Sequence, residues 1–365
     1  MSDRPAVFTI PTHRSFADAL AAGLIARFGK DPLGLASGRI LLPNNRAVRS
    51  VTEAFVRASG SGLLLPRLIP VGDPEIDERI GGAIDTIDLD EVIPPAIDPT
   101  ERLLTLASLT RGEGPAEAMR LAADLARALD ALLVEEVAPA ELREVAKGTD
   151  DLARHWEKSL EKLQLIYEAW PQILSERGEL DLAERRNRLL HRLAERWRDQ
   201  PPPGFTVAAG ITTAAPAVAK LVARLARMPE GMVVLPGLWL ADLLPDEEWA
   251  ALGPDENGRS EPNHPQFHLK LLLDRMGIAR EEVQRWRYSG ATASSPARSR
   301  AVANAMAAPA FTHRWETLRS DQRRLSGIRL AELPDAAAEA QAIALALREA
   351  LEMPGKTAAL ITPDR

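Results

Sequence analysis

The feature that most limits what this chain can fold into is a change of hydrophobic period, made twice along its length. The opening stretch alternates short apolar runs with helical patterns: Ala6–Ile10, then Ser15–Phe28, then Arg39–Leu42, then Arg46–Ala58. Alternation of this kind predicts a parallel sheet covered by helices. Leu63–Val71 is a further apolar run, but Pro66 and Pro70 make it too proline-rich for a central strand.

From Thr100 to Trp197 the apolar residues recur at steps of three and four instead. One stripe holds Leu103, Leu104 and Ala107, and a second Ala118, Ala122, Leu125, Leu129, Leu132 and Leu133. A third holds Leu152, Trp156, Leu160, Leu163, Tyr167, Trp170 and Leu174. Thr100 and Asp181 stand where N-caps belong, and Gly178 where a helix ends. After Pro201–Pro203 the alternation returns with Phe205–Ala209, Ala217–Arg227 and Met232–Leu235. The expected architecture is therefore α/β, a parallel-sheet domain into which an all-helical unit is inserted.

Boundaries near Pro94 and Ser320 divide the chain into 1–93 and 201–320 for the sheet domain, 94–200 for the helical insertion, and 321–365 for a further unit. Asp255–Pro265 reads as loop and His268–Met276 as helix, while Tyr288–Asn304, rich in Ser, Ala and Arg without apolar periodicity, reads as a surface linker. Beyond Ser320 a strand Ile328–Glu332, a helix Ala336–Leu351 and a strand Ala358–Ile361 are expected. A parallel strand needs a crossover to its neighbour, and none follows, which suggests that the natural protein continues.

At 365 residues the chain is long enough for two or three folded units. Its net charge of −7 excludes a surface basic throughout and leaves room only for a local basic groove. The absence of cysteine excludes disulfides, thiolate metal sites and iron–sulfur clusters within these residues, and fits a reducing cytoplasm. The start MSDRPAVFTIPTHRS has no apolar signal core, and no uncharged apolar run of about 18 residues occurs, so neither export nor a membrane span is expected.

Three strands end alike, in TIPTHRS (Thr9–Ser15), LLPNNRA (Leu41–Ala47) and LITPDR (Leu360–Arg365). Each sets a proline, a polar pair and an arginine after an apolar run, on the sheet edge where α/β proteins bind ligands. The first two also precede helices, whose free N–H groups can hold phosphate. Ordinary strand-to-helix punctuation with arginine in water accounts for the same pattern.

A phosphate-binding loop requires G-x-x-x-x-G-K-[ST] between a strand and a helix. The one match to its end, Gly355-Lys356-Thr357, has Ala350 in place of the leading glycine and follows a helix rather than a strand. The first strand-to-helix turn, Pro11-Thr12-His13-Arg14-Ser15, has neither glycine nor lysine. After Met232–Leu235, where acids would hold magnesium, stands Pro236-Gly237-Leu238-Trp239. Both halves of an ATPase site are missing.

Arg185, Arg188, Arg192 and Arg196 form a stripe that could meet a nucleic-acid backbone, although Glu184 and Glu195 interrupt it and favour a solvated face. His264 and His268 have the i, i+4 spacing of zinc ligands but no H-E-x-x-H acid and few histidines to supply a third ligand, so a structural role is expected. Asp85, Asp88, Asp90 and Glu91 lack the register of a calcium loop and read as an acidic connector.

RILLPNNRAVRSV, LLLPRLIPVGD, AAGITTAAPAVAKLVARLARMPEGMVVLPGLWL, HPQFHLKLLLDRMGI and EAQAIALALREALEMPGKTAALITPDR resemble, in that order, segments of AddB proteins of the alphaproteobacterial type. That family resembles a superfamily 1 helicase followed by a nuclease domain. The resemblance implies that the α/β parts form a RecA-like, superfamily 1 helicase-like domain, that the helices are its inserted subdomain, and that Ile328 begins a truncated second RecA-like domain. It implies that Pro43–Arg46 touches the single-strand backbone, making Asn44, Asn45 and Arg46 the candidates for DNA contact; Arg49 in the helix that follows, and His13 and Arg14 in the first strand-to-helix turn, are added to them. Arg365 inherits a position lining the ATP cleft of active relatives. The family's iron–sulfur cluster and magnesium belong to the nuclease domain, outside this chain, so no cofactor is expected here.

The function implied is a non-hydrolysing, helicase-like region of a subunit for DNA double-strand break repair. It would guide single-stranded DNA from duplex ends and pair with the AddA helicase-nuclease subunit. Two alternatives stay open: an ATP-driven motor with an atypical nucleotide loop at Thr9–Ser15, and a purely structural partner of AddA.

Overall fold

A computed structural model describes residues 4–31, 33–60, 62–71, 93–110, 114–137, 169–256, 258–290, 294–325 and 327–362. The chain divides into two compact units, Met1–Arg324 and Leu325–Arg365. The stripe residues Leu152 to Tyr167, the acids Asp85 to Glu91, and Arg365 lie outside the described residues.

The larger unit is built on six strands: β1 (Val7–Ile10), β2 (Arg39–Leu42), β3 (Arg67–Pro70), β4 (Thr206–Ala209), β5 (Gly231–Pro236) and β6 (Gln284–Arg285). They lie in the order β3-β2-β4-β5-β1-β6, and every pairing is parallel. The proline-rich run supplies β3 at one edge, where a missing ladder donor costs least. The two-residue β6 at the other edge had no periodicity by which to be foreseen.

Side chains alternate across the sheet and sort into two cores. Ile10, Ile40, Leu42, Val207, Ala209, Met232 and Val234 face α1 (Phe16–Phe28) and α2 (Asn45–Ser59). Val7, Leu41, Ala208, Val233 and Leu235 face the opposite way. There they meet α5 (Leu182–Asp199), α6 (Pro216–Leu225) and α8 (Phe267–Met276). Burial on both faces is why the central strands read as nearly unbroken apolar runs, and each fully buried aliphatic side chain contributes about 1.5–3 kcal/mol.

Between β3 and β4 the described elements are helices, joined by an isolated bridge of Ala96 to Leu180. The helices α3 (Pro99–Thr110) and α4 (Pro115–Val134) and the helical residues 169–177 share a core of Ile97, Leu106, Ala122, Leu125, Leu129, Trp170 and Leu174. Asp181 caps α5 by accepting from the Ala183 N–H at 3.3 Å, and Gly178 ends the preceding helix at φ 67°. Thr100, however, is not the cap of α3. Asp98 takes that place, its Oδ1 accepting from the N–H groups of Thr100 at 2.8 Å and Glu101 at 3.1 Å. A buried cluster fastens these helices to α5: Arg102 donates to Asp181 at 2.9 Å and Asp130 at 2.8 Å, and the Trp170 indole donates to Asp181 at 3.0 Å.

The stretch Tyr288–Asn304 is not only linker. It contains α9 (Pro296–Ala305), which follows the short α7 (Asp246–Ala251) and α8 in the chain and buries Ala301 and Ala303. Short 3₁₀ helices at Pro309–Thr317 and Ser320–Arg323 complete the unit. Glu248 of α7 holds this end, accepting from the Ala308 N–H at 2.7 Å and from Arg314.

In the smaller unit α10 (Ala336–Leu351) forms as expected, capped by Asp335, which accepts from the Ala338 N–H at 2.7 Å. The expected strands Ile328–Glu332 and Ala358–Ile361 do not form. A strand exists only by pairing, and neither run has a ladder partner among the described residues, leaving Leu330 86% and Ile361 91% exposed. Gly355-Lys356-Thr357 follows α10 in a turn, with Gly355 at φ 78°.

Candidate functional site at the carboxyl edge of the sheet

In an open parallel sheet, ligands bind beyond the carboxyl ends of neighbouring strands whose outgoing helices pack on opposite faces. This sheet has two such places. β1 leads to α1 on one face, while its neighbour β5 leads towards α8 on the other. β2 leads to α2, while its neighbour β4 leads to α6. The two crevices differ in what fills them.

The β1/β5 crevice is partly filled by the chain itself. The loop after β5 spends its donors internally: the N–H groups of Gly237, Leu238 and Trp239 donate to the Ile10 carbonyl at 2.8 Å, Thr9 Oγ1 at 3.0 Å and Gln266 Oε1 at 2.8 Å. Gly237 sits at φ 66°, and a Cβ there would fall 2.5 Å from Thr12 Cγ2. The buried His264 braces Gln266, its Nδ1 accepting from the Gln266 N–H at 3.2 Å, and its ring stands edge-on to Trp239.

The first turn is covered from the other side by residues 286–290 and Ser294. Arg14 donates to the carbonyls of Trp286 at 2.9 Å and Tyr288 at 3.2 Å, and the Ser294 N–H donates to the His13 carbonyl at 2.6 Å. The Trp286 indole donates to the Ala19 carbonyl at 2.7 Å. Gly290 lies so close to the start of α1 that a Cβ there would fall 2.3 Å from Asp18 Cβ and 3.1 Å from the Ala19 nitrogen. Asp18 itself stands in the first turn of α1, held by the Ser15 hydroxyl at 2.7 Å and Arg57 at 2.7 Å. Burial alone would raise the Asp18 pKa, but Ser15 and Arg57 together hold it below the usual carboxylate value. A carboxylate charge at this turn opposes a phosphate.

The β2/β4 crevice is open on the α2 side. Asn44, Asn45, Arg46 and Arg49 are all exposed. Asn44 serves the fold, its Oδ1 accepting from the Ala47 N–H at 2.9 Å as the cap of α2. Arg46 and Arg49 make no hydrogen bond or ion pair with the described residues, so their charge is fully available. The cleft of about 660 Å³ on this edge lies not at α2 but beyond β1, β4 and β5, lined by Thr12, Thr212, Thr213, Gly237, Trp239 and His268, among others.

The six candidate residues thus share one edge without forming one cluster. β1 and β2 are separated by β4 and β5, three inter-strand steps or roughly 14 Å. Arg14 is committed to the cover. His13 lines a smaller pocket with Asp242 and Arg285, and burial, then Arg14 and Arg285, lower its pKa, favouring neutral imidazole. The arginine stripe of α5 is divided: Arg185 donates to the Pro94 carbonyl at 2.9 Å, and Arg188 pairs with Glu184 along the helix. His264 is buried and His268 exposed, and no cluster of metal-ligating side chains occurs among the described residues. Sequence reasoning missed Trp286 and Gly290, whose importance lies in what they approach; the aromatic pair of Trp286 and Tyr288 was the available signal.

The chain matches no model of a known protein family, and no curated protein matches it.

Proposed function

We propose that this chain is the helicase-like region of an AddB-type subunit of a helicase-nuclease that processes DNA double-strand breaks. It guides single-stranded DNA and pairs with the AddA motor subunit without hydrolysing ATP itself. In this reading the sheet domain is RecA-like, of the superfamily 1 helicase kind, α3 to α5 belong to its inserted subdomain, and Leu325–Arg365 belongs to a second RecA-like domain.

The observation that carries the proposal is the contrast between the crevices. The first strand-to-helix turn, where a nucleotide-binding relative holds phosphate, is covered by residues 286–290 and Ser294, and the N–H groups of Gly237 to Trp239 beside it are spent. Two strands away, the side chains of Arg46 and Arg49 stand exposed in the first two turns of α2 with no carboxylate partner. Positive charge on a helix start suits contacts to phosphate, which position a strand without reading its bases.

The test is fluorescence anisotropy of a labelled oligothymidylate across a salt series, with the chain assembled with its motor partner. Each lost phosphate contact to a single strand lowers the slope of log affinity against log salt by about 0.7. Replacing both Arg46 and Arg49 by alanine is therefore expected to lower the slope by about 1.4, with several-fold weaker binding. Binding that ignores salt, or the same slope in the variant, defeats the proposal.

A further inference from the structure

On the face of the sheet opposite α2, helices α5, α6 and α8 enclose a groove of about 630 Å³. Five cations line it: Arg198 from α5, Lys220 and Arg224 from α6, Arg227 just beyond α6, and Arg275 from α8. Lys220 pairs with Glu195 at 2.9 Å, Arg198 with Asp199 at 3.1 Å and Arg275 with Glu135 at 2.9 Å. Arg227 has no carboxylate. It donates to the carbonyls of Ala223, Met276 and Gly277 at 3.1–3.3 Å, which orients it without neutralising it. The Arg224 side chain has no hydrogen bond or ion pair among the described residues, and the carboxylate charge near it is that of Asp199, already held by Arg198. Five cations less three carboxylates leave two positive charges in excess, on a chain whose net charge is −7.

Chemistry narrows the occupant. Four of the five cations are arginines, whose planar forks match phosphate oxygens in pairs. The rest of the lining is Ala194, Glu195, Pro216 and Ala223, with no aromatic ring on which a base could stack. Lys220 and Arg224, four apart, share one face of α6, and Arg227 extends the row just past its end, so the cations form a line rather than converging on a point. Arg275, in this groove, pairs with Glu135, in the wall of the carboxyl-edge cleft, so the two hollows meet at that ion pair.

We infer that the α5–α6 groove binds a phosphate chain through Lys220, Arg224 and Arg227, without regard to base. Its source is either a nucleic-acid backbone or a free polyphosphate. It is a second anion site, independent of Arg46 and Arg49, and it stands or falls apart from the function proposed above.

The test uses the full chain with two probes, inorganic tripolyphosphate by calorimetry and labelled oligothymidylate by anisotropy. The variants are Arg224→Glu, a Lys220→Glu/Arg224→Glu double, and, as control, Arg348→Ala on the exposed face of α10. Circular dichroism and the urea midpoint check that the variants fold; the exposed position of Lys220 favours this. Arg224→Glu is expected to weaken whichever probe binds by about fivefold or more, the double further, and the salt slope for the oligonucleotide to fall by about 0.7 per contact. The Arg348→Ala control leaves the binding of both probes unchanged. Loss with both probes assigns a general phosphate-chain site, and loss with the oligonucleotide alone assigns the nucleic-acid source. If the wild type binds neither probe at low salt, or the double variant keeps both affinities within twofold, the inference is overturned. It is equally overturned if a polyglutamate peptide binds the groove where tripolyphosphate does not.

Discussion

Gly290→Ala isolates the contact that closes the first turn. A Cβ at this position falls 2.3 Å from Asp18 Cβ, 3.0 Å from the Asp18 carbonyl carbon and 3.1 Å from the Ala19 nitrogen. None of these is the mobile end of a side chain, so the segment must lift by about 1 Å to restore ordinary contact. Replacing glycine where the backbone allows it gains about 0.4–1 kcal/mol by restricting the unfolded chain. Against that stands overpacking at about 1–3 kcal/mol, together with strain on two hydrogen bonds, from Ser294 to the His13 carbonyl and from Arg14 to the Tyr288 carbonyl, at about 1 kcal/mol each. Because the segment can yield locally, the net loss is capped near the energy of its own contacts, about 1–3 kcal/mol. Urea denaturation followed by Trp fluorescence measures it, and amide exchange at residues 15–19 reports the lift directly. Unchanged stability together with unchanged exchange refutes the close approach and the closure built on it.

Two other predictions probe how the larger unit is held. Arg102→Ala leaves Asp181, 1% exposed, without its buried cation; the cost is about 3–5 kcal/mol, read from the denaturation midpoint, and a change below about 1 kcal/mol contradicts the cluster. His264 is held below the ordinary imidazole value chiefly by burial, opposed by Glu248 and Glu261, so the folded state keeps it neutral where the unfolded chain takes a proton. Its stability is therefore complete above about pH 6.5 and declines as pH falls below that value, loosening the Gln266 brace. His264→Gln is expected to flatten the pH dependence of unfolding between about 7 and 5, and an unchanged slope rejects this assignment.

The strands β1, β2, β4 and β5 and the helices beside them were legible because burial on both faces writes an apolar run into each strand and a stripe into each helix. Pro66 and Pro70 signalled an edge, and β3 lies there. The cap of α3 was misread by two residues, since Asp98 and Thr100 both suit the place and only the chain direction chooses. α9 was hidden because its buried residues are alanines among Arg and Ser, although Ser295 before Pro296 was a start signal. Ile328–Glu332 and Ala358–Ile361 carry strand composition, which cannot supply the neighbour that a ladder requires. At the candidate site the missing glycine and lysine of Pro11–Ser15 were plain. The cover was not, because Gly290 reaches Asp18 across hundreds of residues and leaves no local pattern.

The proposed function puts phosphate contact at the exposed start of α2 and not at the covered first turn beside β1. Hydrogen–deuterium exchange of the full chain, with excess oligothymidylate and separately with magnesium ATP, tests it in one measurement. Slowed exchange at Asn45–Arg49 with the oligonucleotide, and no change at residues 9–19 with ATP, is the result predicted. Saturable protection of residues 9–19 by ATP, with none at Asn45–Arg49 by the oligonucleotide, contradicts it.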